Sequence, residues 1–243
     1  MRFLIIAFSL FLFSQPVLAD DKLSADQQDE VRKLVRDTLL ANPEILMEAM
    51  EVLQARQEQA RADMQKSTMA SLDQTLITPE ITPVGGNPKG DVTIVEFFDY
   101  QCGYCKRVFP DVMKVVNDDA NIRYVFKELA VLGETSEFAA HVALATQLQG
   151  KYTDFHSAMM KVKGRLTNTK ILKTAESLGV DMDQLQKDMV SERVQKEIAS
   201  TKQLARNLNI QGTPGFIIGD QIFRGAIPAD AMVEAVKQAR KQS

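Results

Sequence analysis

Apolar positions along the chain fall into three regimes. From Ala25 onward Val31, Leu34, Val35 and Leu39 recur at helical spacing behind Ser24 and Gln27, a capping-box pair, which predicts a helix near 24–41. Asn42 followed by Pro43 is a second start signal, and Leu46, Met50, Leu53, Ala60 and Met64 extend a thin stripe that Gln57 interrupts, predicting a helix from 43 to about 73. One narrow stripe per helix cannot form a core. These helices must bury it against another copy of the chain, the reading favoured here, or against the domain that follows.

Proline and glycine then concentrate in "TPEITPVGGNPKGD", residues 78–91, marking a linker over 76–90. Beyond it the pattern changes to short buried runs. "VTIVEFF" at 92–98 and "IRYVFKEL" at 122–129 read as strands, with a helix to about Val116 between them, so the pair is parallel with a crossover helix. Only helical segments follow, at about 135–149, 152–162, 168–178, 182–189 and 192–208, punctuated by Gly150, Gly164 and Gly179. "GFIIGDQIFRG" at 215–225 is a hairpin turning at Gly219-Asp220, and Pro228 starts a closing helix to about Lys241. The expected fold is α/β: a thioredoxin-like core over 91–243 with a helical insertion at about 130–209, preceded by a helical oligomerisation segment over 20–75.

The first residues carry a different signal. Arg2 precedes the apolar run "FLIIAFSLFLF", and "VLA" at 17–19 is a small-residue cleavage pattern before Asp20. Eleven positions are too few to span a bilayer, which takes about 20 residues, so 1–19 read as a secretory signal peptide, with an uncleaved anchor as the alternative. No cysteine stands near the cut, which excludes a lipid-anchored lipoprotein. The net charge of −3 argues against a general nucleic-acid binder.

Export into an oxidising compartment, the periplasm, gives the two cysteines of the chain their meaning. Cys102 and Cys105 would close too small a loop to act as a useful staple. A zinc clip needs about four ligands, while His141 and His156 stand alone and read as helix-surface or core residues, so no metal and no cofactor are expected. A reactive pair remains. Placed at a helix start after a buried strand, the first sulfur meets unpaired amides and the positive end of the helix dipole, which favour its thiolate, while the second lies one turn in. Glu96, alone in an apolar strand on the side shared by Val92, Ile94 and Phe98, is a candidate proton acceptor for Cys105; the competing reading pairs it with a lysine such as Lys127. Pro214, which cannot donate to a ladder, stands with Thr213 at a strand entrance, where a cis bond is one option.

"FFDYQCGYCK" with "GTPGFIIGD" about 110 residues later resembles the DsbA family of thiol:disulfide oxidoreductases from about Gly86 to the C-terminus. The arrangement behind an N-terminal segment carrying "NPEIL" is similar to ScsC and to secreted DsbA-like proteins of intracellular bacteria. The resemblance implies Cys102 as nucleophile, Cys105 as resolving thiol, Glu96 as the buried acid and Pro214 as a cis-proline beside the sulfurs. Thr213, Gly103 and Tyr104 would meet substrate. It further implies misfolded secreted proteins as substrates, a membrane redox partner of DsbB or DsbD type, and a homodimer or homotrimer. Gly103 and Tyr104 replace the Pro-His of the prototype oxidase, so a weaker oxidant with isomerase character is expected. A copper-protective protein using the same thiols is the alternative. Met47, Met50, Met64 and Met69, at helical spacing, are expected to pack rather than to bind metal.

Overall fold

The computed structural model describes residues 23–72, 76 and 81–242; the expected signal peptide, 1–19, lies outside them. The chain divides into two compact units, one up to Arg56 and one from Gln57.

The first unit holds α1, Ala25–Ala41, and the start of α2, Glu44–Ala70. Ser24 caps α1 through the expected reciprocal pair: its hydroxyl accepts from Gln27 N at 3.3 Å, and Gln27 Oε1 accepts from Ser24 N at 2.9 Å. No residue of α1 is buried, and Val31, Leu34, Val35, Leu46, Met50 and Leu53 all stand exposed. The methionine expectation divides accordingly. Met69 packs against the core of the second unit, whereas Met47, Met50 and Met64 are exposed.

The second unit is built on five strands in the order β1-β3-β2-β4-β5. β2, Val92–Phe98, and β3, Ile122–Glu128, run parallel, joined through α3, Gly103–Asp118. β4, Gly215–Ile218, pairs antiparallel with β2 and turns at Gly219 into β5, Gln221–Arg224. Gly219 has φ +60°, and a Cβ there would lie 2.7 Å from that of Ala239, so the turn requires glycine twice over.

The remaining strand corrects the sequence reading. β1, Val84–Gly86, falls inside the expected linker and pairs antiparallel with β3, Val84 opposite Val125. Leu76, Ile81 and Thr82, in the same stretch, are buried as well.

Five helices fill the span between β3 and β4: α4 Glu134–Gln147, α5 Tyr152–Lys161, α6 Asn168–Ser177, α7 Met182–Met189 and α8 Glu192–Asn207. α9, Ala229–Gln242, closes the fold against α3, β2 and β4. The period-two alternation of β2 sorts its side chains. Ile94 and Phe98 join Tyr124, Phe126, Phe216 and the buried face of α3 in the larger core, while Val95 and Phe97 join Val125, Ile217, Leu204 and Leu208 on the other side. Each fully buried aliphatic or aromatic side chain of this kind stabilises by roughly 1.5–3 kcal/mol. The sheet is therefore covered on both faces, and the end of its central strand β2 is a rigid place from which to present a side chain.

One charged contact crosses that packing. Lys127 of β3 and Glu197 of α8 are both buried and bond at 2.9 Å, fixing the insertion to the sheet.

Candidate active site

β2 ends at Phe98, and a short turn delivers the chain to α3. Cys102 is the N-cap of that helix, extended at φ −70° and ψ 114°, and its sulfur accepts from Cys105 N at 3.4 Å. A sulfur takes here the place that a serine or aspartate oxygen takes at other helix starts, accepting from the first-turn amide of Cys105. The Cys102 thiol also donates to the Thr213 carbonyl at 3.2 Å, and the Thr213-Pro214 bond is cis. Residues 111 positions apart thus meet at one atom. Cys102 is 6% exposed while Cys105, one turn further in, is sealed.

Beneath the pair lies Glu96, buried on the larger core's side of β2 between Phe126 and Phe216. The Tyr124 hydroxyl donates to its Oε2, and its Oε1 has no partner. Burial raises the Glu96 carboxyl from the ordinary 4.5 to about 7, the Tyr124 bond opposing it. Burial also pushes the Cys105 thiol far up, with the Glu96 charge adding to the effect. The competing lysine pairing does not form, since Lys127 turns to the opposite side of the sheet and holds Glu197.

Gly103 and Tyr104 face outward. Nothing lies within 4 Å of where a Gly103 Cβ would stand, and Tyr104 is 59% exposed with the Arg107 guanidinium 5.0 Å over its ring. His141 bonds the Met189 carbonyl at 2.9 Å, away from the thiols.

His156 is a core residue and belongs to a second buried network. The Tyr100 and Tyr152 hydroxyls donate to Glu128 Oε1 at 2.9 and 2.7 Å, and His156 Nδ1 lies 3.1 Å from the Tyr100 oxygen. With the Tyr100 proton directed to Glu128, Nδ1 carries the proton that Tyr100 accepts, which leaves Nε2 a lone pair without a partner. Burial pushes this imidazole down to about 3, so it is neutral at physiological pH. Burial holds the Glu128 carboxyl well above the carboxylate range.

Asp99, which sequence reasoning passed over, anchors the turn. Its buried carboxylate accepts from Gln101 N at 2.7 Å, Val131 N at 2.9 Å, Leu132 N at 3.0 Å and Ser136 Oγ at 2.7 Å. The turn before Cys102 is thereby tied to the loop that opens the insertion. An acid at the end of an apolar strand, three residues before a cysteine, is the one local hint of it.

A dithiol at the first turn of a helix that follows the central strand of a mixed sheet, backed by a cis-proline turn, defines the class of thioredoxin-fold thiol proteins. Within that class the comparisons are specific. The DsbA-like thioredoxin domain model matches residues 93–237, more than half of the chain, and the copper resistance protein ScsC N-terminal domain model matches 27–60. The chain belongs to the DsbA-like thioredoxin family of thiol:disulfide oxidoreductases.

A thioredoxin-like oxidoreductase from Silicibacter pomeroyi DSS-3 is 44% identical, with TM-score 0.66, over 68% of this chain and 95% of its own. ScsC of Proteus mirabilis is 32% identical, with TM-score 0.67, over 91% of this chain and all of its own. Among curated proteins, disulfide bond formation protein D of Bacillus subtilis is 25% identical over 65% of this chain and 77% of its length. The Na(+)/H(+) antiporter NhaA 1 of Salinispora arenicola is 29% identical over 67% of this chain. The chain spans about a quarter of that antiporter's length.

Proposed function

We propose that this protein is an exported thiol:disulfide interchange protein that forms or isomerises disulfide bonds in secreted polypeptides. The observation that carries the reading is the placement of Cys102 Sγ between the first-turn amide of Cys105 and the carbonyl of Thr213. The sulfur is presented by a helix end beside a backbone acceptor, where an extended substrate can lie against residues 213–214 and Gly103 leaves the approach open.

In the reducing direction the Cys102 thiolate attacks a substrate disulfide. The substrate S–S bond breaks, a Cys102–substrate bond forms, and the departing sulfur leaves as a thiolate that takes a proton. Cys105 then gives its proton to Glu96 Oε1 and attacks Cys102, closing the Cys102–Cys105 disulfide and releasing the second substrate sulfur. Oxidation of a substrate dithiol runs the same steps backward. In isomerisation a substrate thiolate expels Cys102 instead, and no net electrons move. Glu96 suits its part because its value of about 7 lets it hold or release a proton near neutrality.

Export is supported by the apolar run and "VLA" pattern of residues 1–19, and the site of action by this reading is the periplasm. No helix among the described residues is long and apolar enough to cross a membrane. Mass spectrometry of the exported protein should find Asp20 at its start. The exposed apolar positions of α1 and α2 and the ScsC-type match over 27–60 support a homodimer or homotrimer through residues 20–75. Deleting that segment should give a monomer that reduces insulin but no longer rescues scrambled ribonuclease; a truncated protein that isomerises as well as the intact one removes the segment's role. Recycling requires a membrane partner, of DsbB type if the pair rests oxidised and of DsbD type if it rests reduced.

The central test is Cys105→Ser, which should accumulate mixed disulfides through Cys102 in an exporting cell. Absence of such adducts contradicts the order of attack. A second reading, copper protection, is favoured by the ScsC N-terminal match, and two adjacent thiols suit Cu(I). Titrating the reduced protein with Cu(I) separates the two readings: stoichiometric tight binding with no exchange activity supports copper protection.

A further inference from the structure

The cavity next to the thiols is not used by any step above. About 930 Å³ in volume, it opens at Gln101 and Gly103, on either side of Cys102, and runs between α3 and α5. It shares no residue with the Thr213-Pro214 turn. A chain held at Cys102 and lying against that turn would therefore leave this space for whatever flanks the reacting cysteine.

Its composition is asymmetric. Phe109, Met113, Phe126 and Met160 give it apolar walls, and the ring of His156 stands among them as a neutral imidazole. Charge gathers where the walls end. Lys106, Lys161 and Lys163 all border the cavity, against a single acid, Asp154, among its described lining residues. Lys106 is held in place by donating to the Val162 carbonyl at 2.9 Å, while Lys161 and Lys163 are exposed and unpaired by any acid in the cavity wall. A volume of this size lies within the range of built ligand sites.

We infer that this cavity is a substrate subsite for the polypeptide segment flanking the reactive cysteine, selecting a segment that carries an apolar or aromatic residue next to acidic ones. The inference rests on the exchange activity proposed above and adds the substrate class to it. The apolar residue fills the space between α3 and α5. The acidic residues meet the three lysines, an arrangement that discriminates by sign of charge and speeds encounter more than it adds raw affinity.

Three cysteine peptides of equal length test it, each bearing one disulfide to a reporter thiol: one with Phe and Glu flanks, one with Ser and Glu flanks, one with Phe and Lys flanks. For the intact reduced protein the Phe/Glu peptide should show a KM about fivefold or more below the Phe/Lys peptide, as two or three partly screened charge pairs allow. The Ser/Glu peptide should lose most of its advantage. The double variant Lys161→Glu/Lys163→Glu changes two exposed residues outside the catalytic machinery. It should invert the Glu-against-Lys order of KM. Equal KM values for the intact protein, or an order that survives the charge reversal, overturn the inference and leave the exchange reading standing. Failure of every peptide to react with Cys102 overturns the exchange reading, and the subsite falls with it.

Discussion

Replacing Glu96 with glutamine isolates the energetic cost of keeping that acid inside. The carboxyl has a folded value of about 7 against an ordinary 4.5. Between those two values the folded protein keeps a proton that the unfolded chain has released, so raising pH pulls the equilibrium toward the unfolded state. Stability falls through this window by about 1.4 kcal/mol per pH unit, roughly 3 kcal/mol in all, with the loss complete above the folded value. Glutamine cannot ionise, yet its amide oxygen can accept the Tyr124 hydroxyl in place of Oε2. The variant should therefore gain about 3 kcal/mol relative to the parent between pH 4 and pH 8. Glu128 and His156 also titrate inside, but they act on both proteins and cancel in the difference. The chain has no tryptophan, and Tyr100, Tyr124 and Tyr152 all sit in the core around Glu96. Urea unfolding followed by near-ultraviolet circular dichroism, in reductant and across that pH range, thus reports on this region. A stability difference that stays constant with pH refutes the buried, proton-holding Glu96.

The same variant should slow resolution of a Cys102 mixed disulfide by about 100-fold, the usual contribution of a positioned proton acceptor; rapid acid quench with mass spectrometry reads the adduct's lifetime, and an unchanged lifetime removes Glu96 from the relay. Asp99→Asn exchanges a carboxylate with four donors for an amide with one acceptor oxygen. It should cost about 2–4 kcal/mol and speed hydrogen exchange at Val131 and Leu132, whose amides Asp99 now holds. Exchange rates unaltered at those two amides count against its anchoring role. Lys127→Met alone should cost about 3–5 kcal/mol by stranding Glu197, and the double variant Lys127→Met/Glu197→Leu should recover most of that loss. A double variant as unstable as the single one contradicts this account of the pair.

The sequence was most legible where local chemistry decides structure. β2 and β3 are dense in β-branched and aromatic residues, the helices of the insertion are bounded by glycines and caps, and a lone glutamate in "VTIVEFF" is conspicuous because nothing nearby can solvate it. β1 was illegible for the opposite reason: Val-Gly-Gly has almost no strand propensity of its own, and its conformation comes from pairing with β3 some 40 residues later. Asp99 escaped notice because three of its four donors lie more than 30 residues away. The Glu197 partner of Lys127 is 70 positions distant, which is why the sequence left a Glu96–Lys127 pair open as the competing reading. At the arm the pattern named the helices and their apolar stripe, and the stripe of α1 and early α2 stands exposed.

The Lys127–Glu197 contact bears on how such a molecule can be remodelled. Because a buried cation tolerates only one seat for its counter-charge, it acts as a key that fixes where the helical block docks. A block transplanted from a relative would need an acid at the matching height on its last helix. Without one, the graft would have to remove the lysine too, or leave a bare ammonium in the middle of the protein.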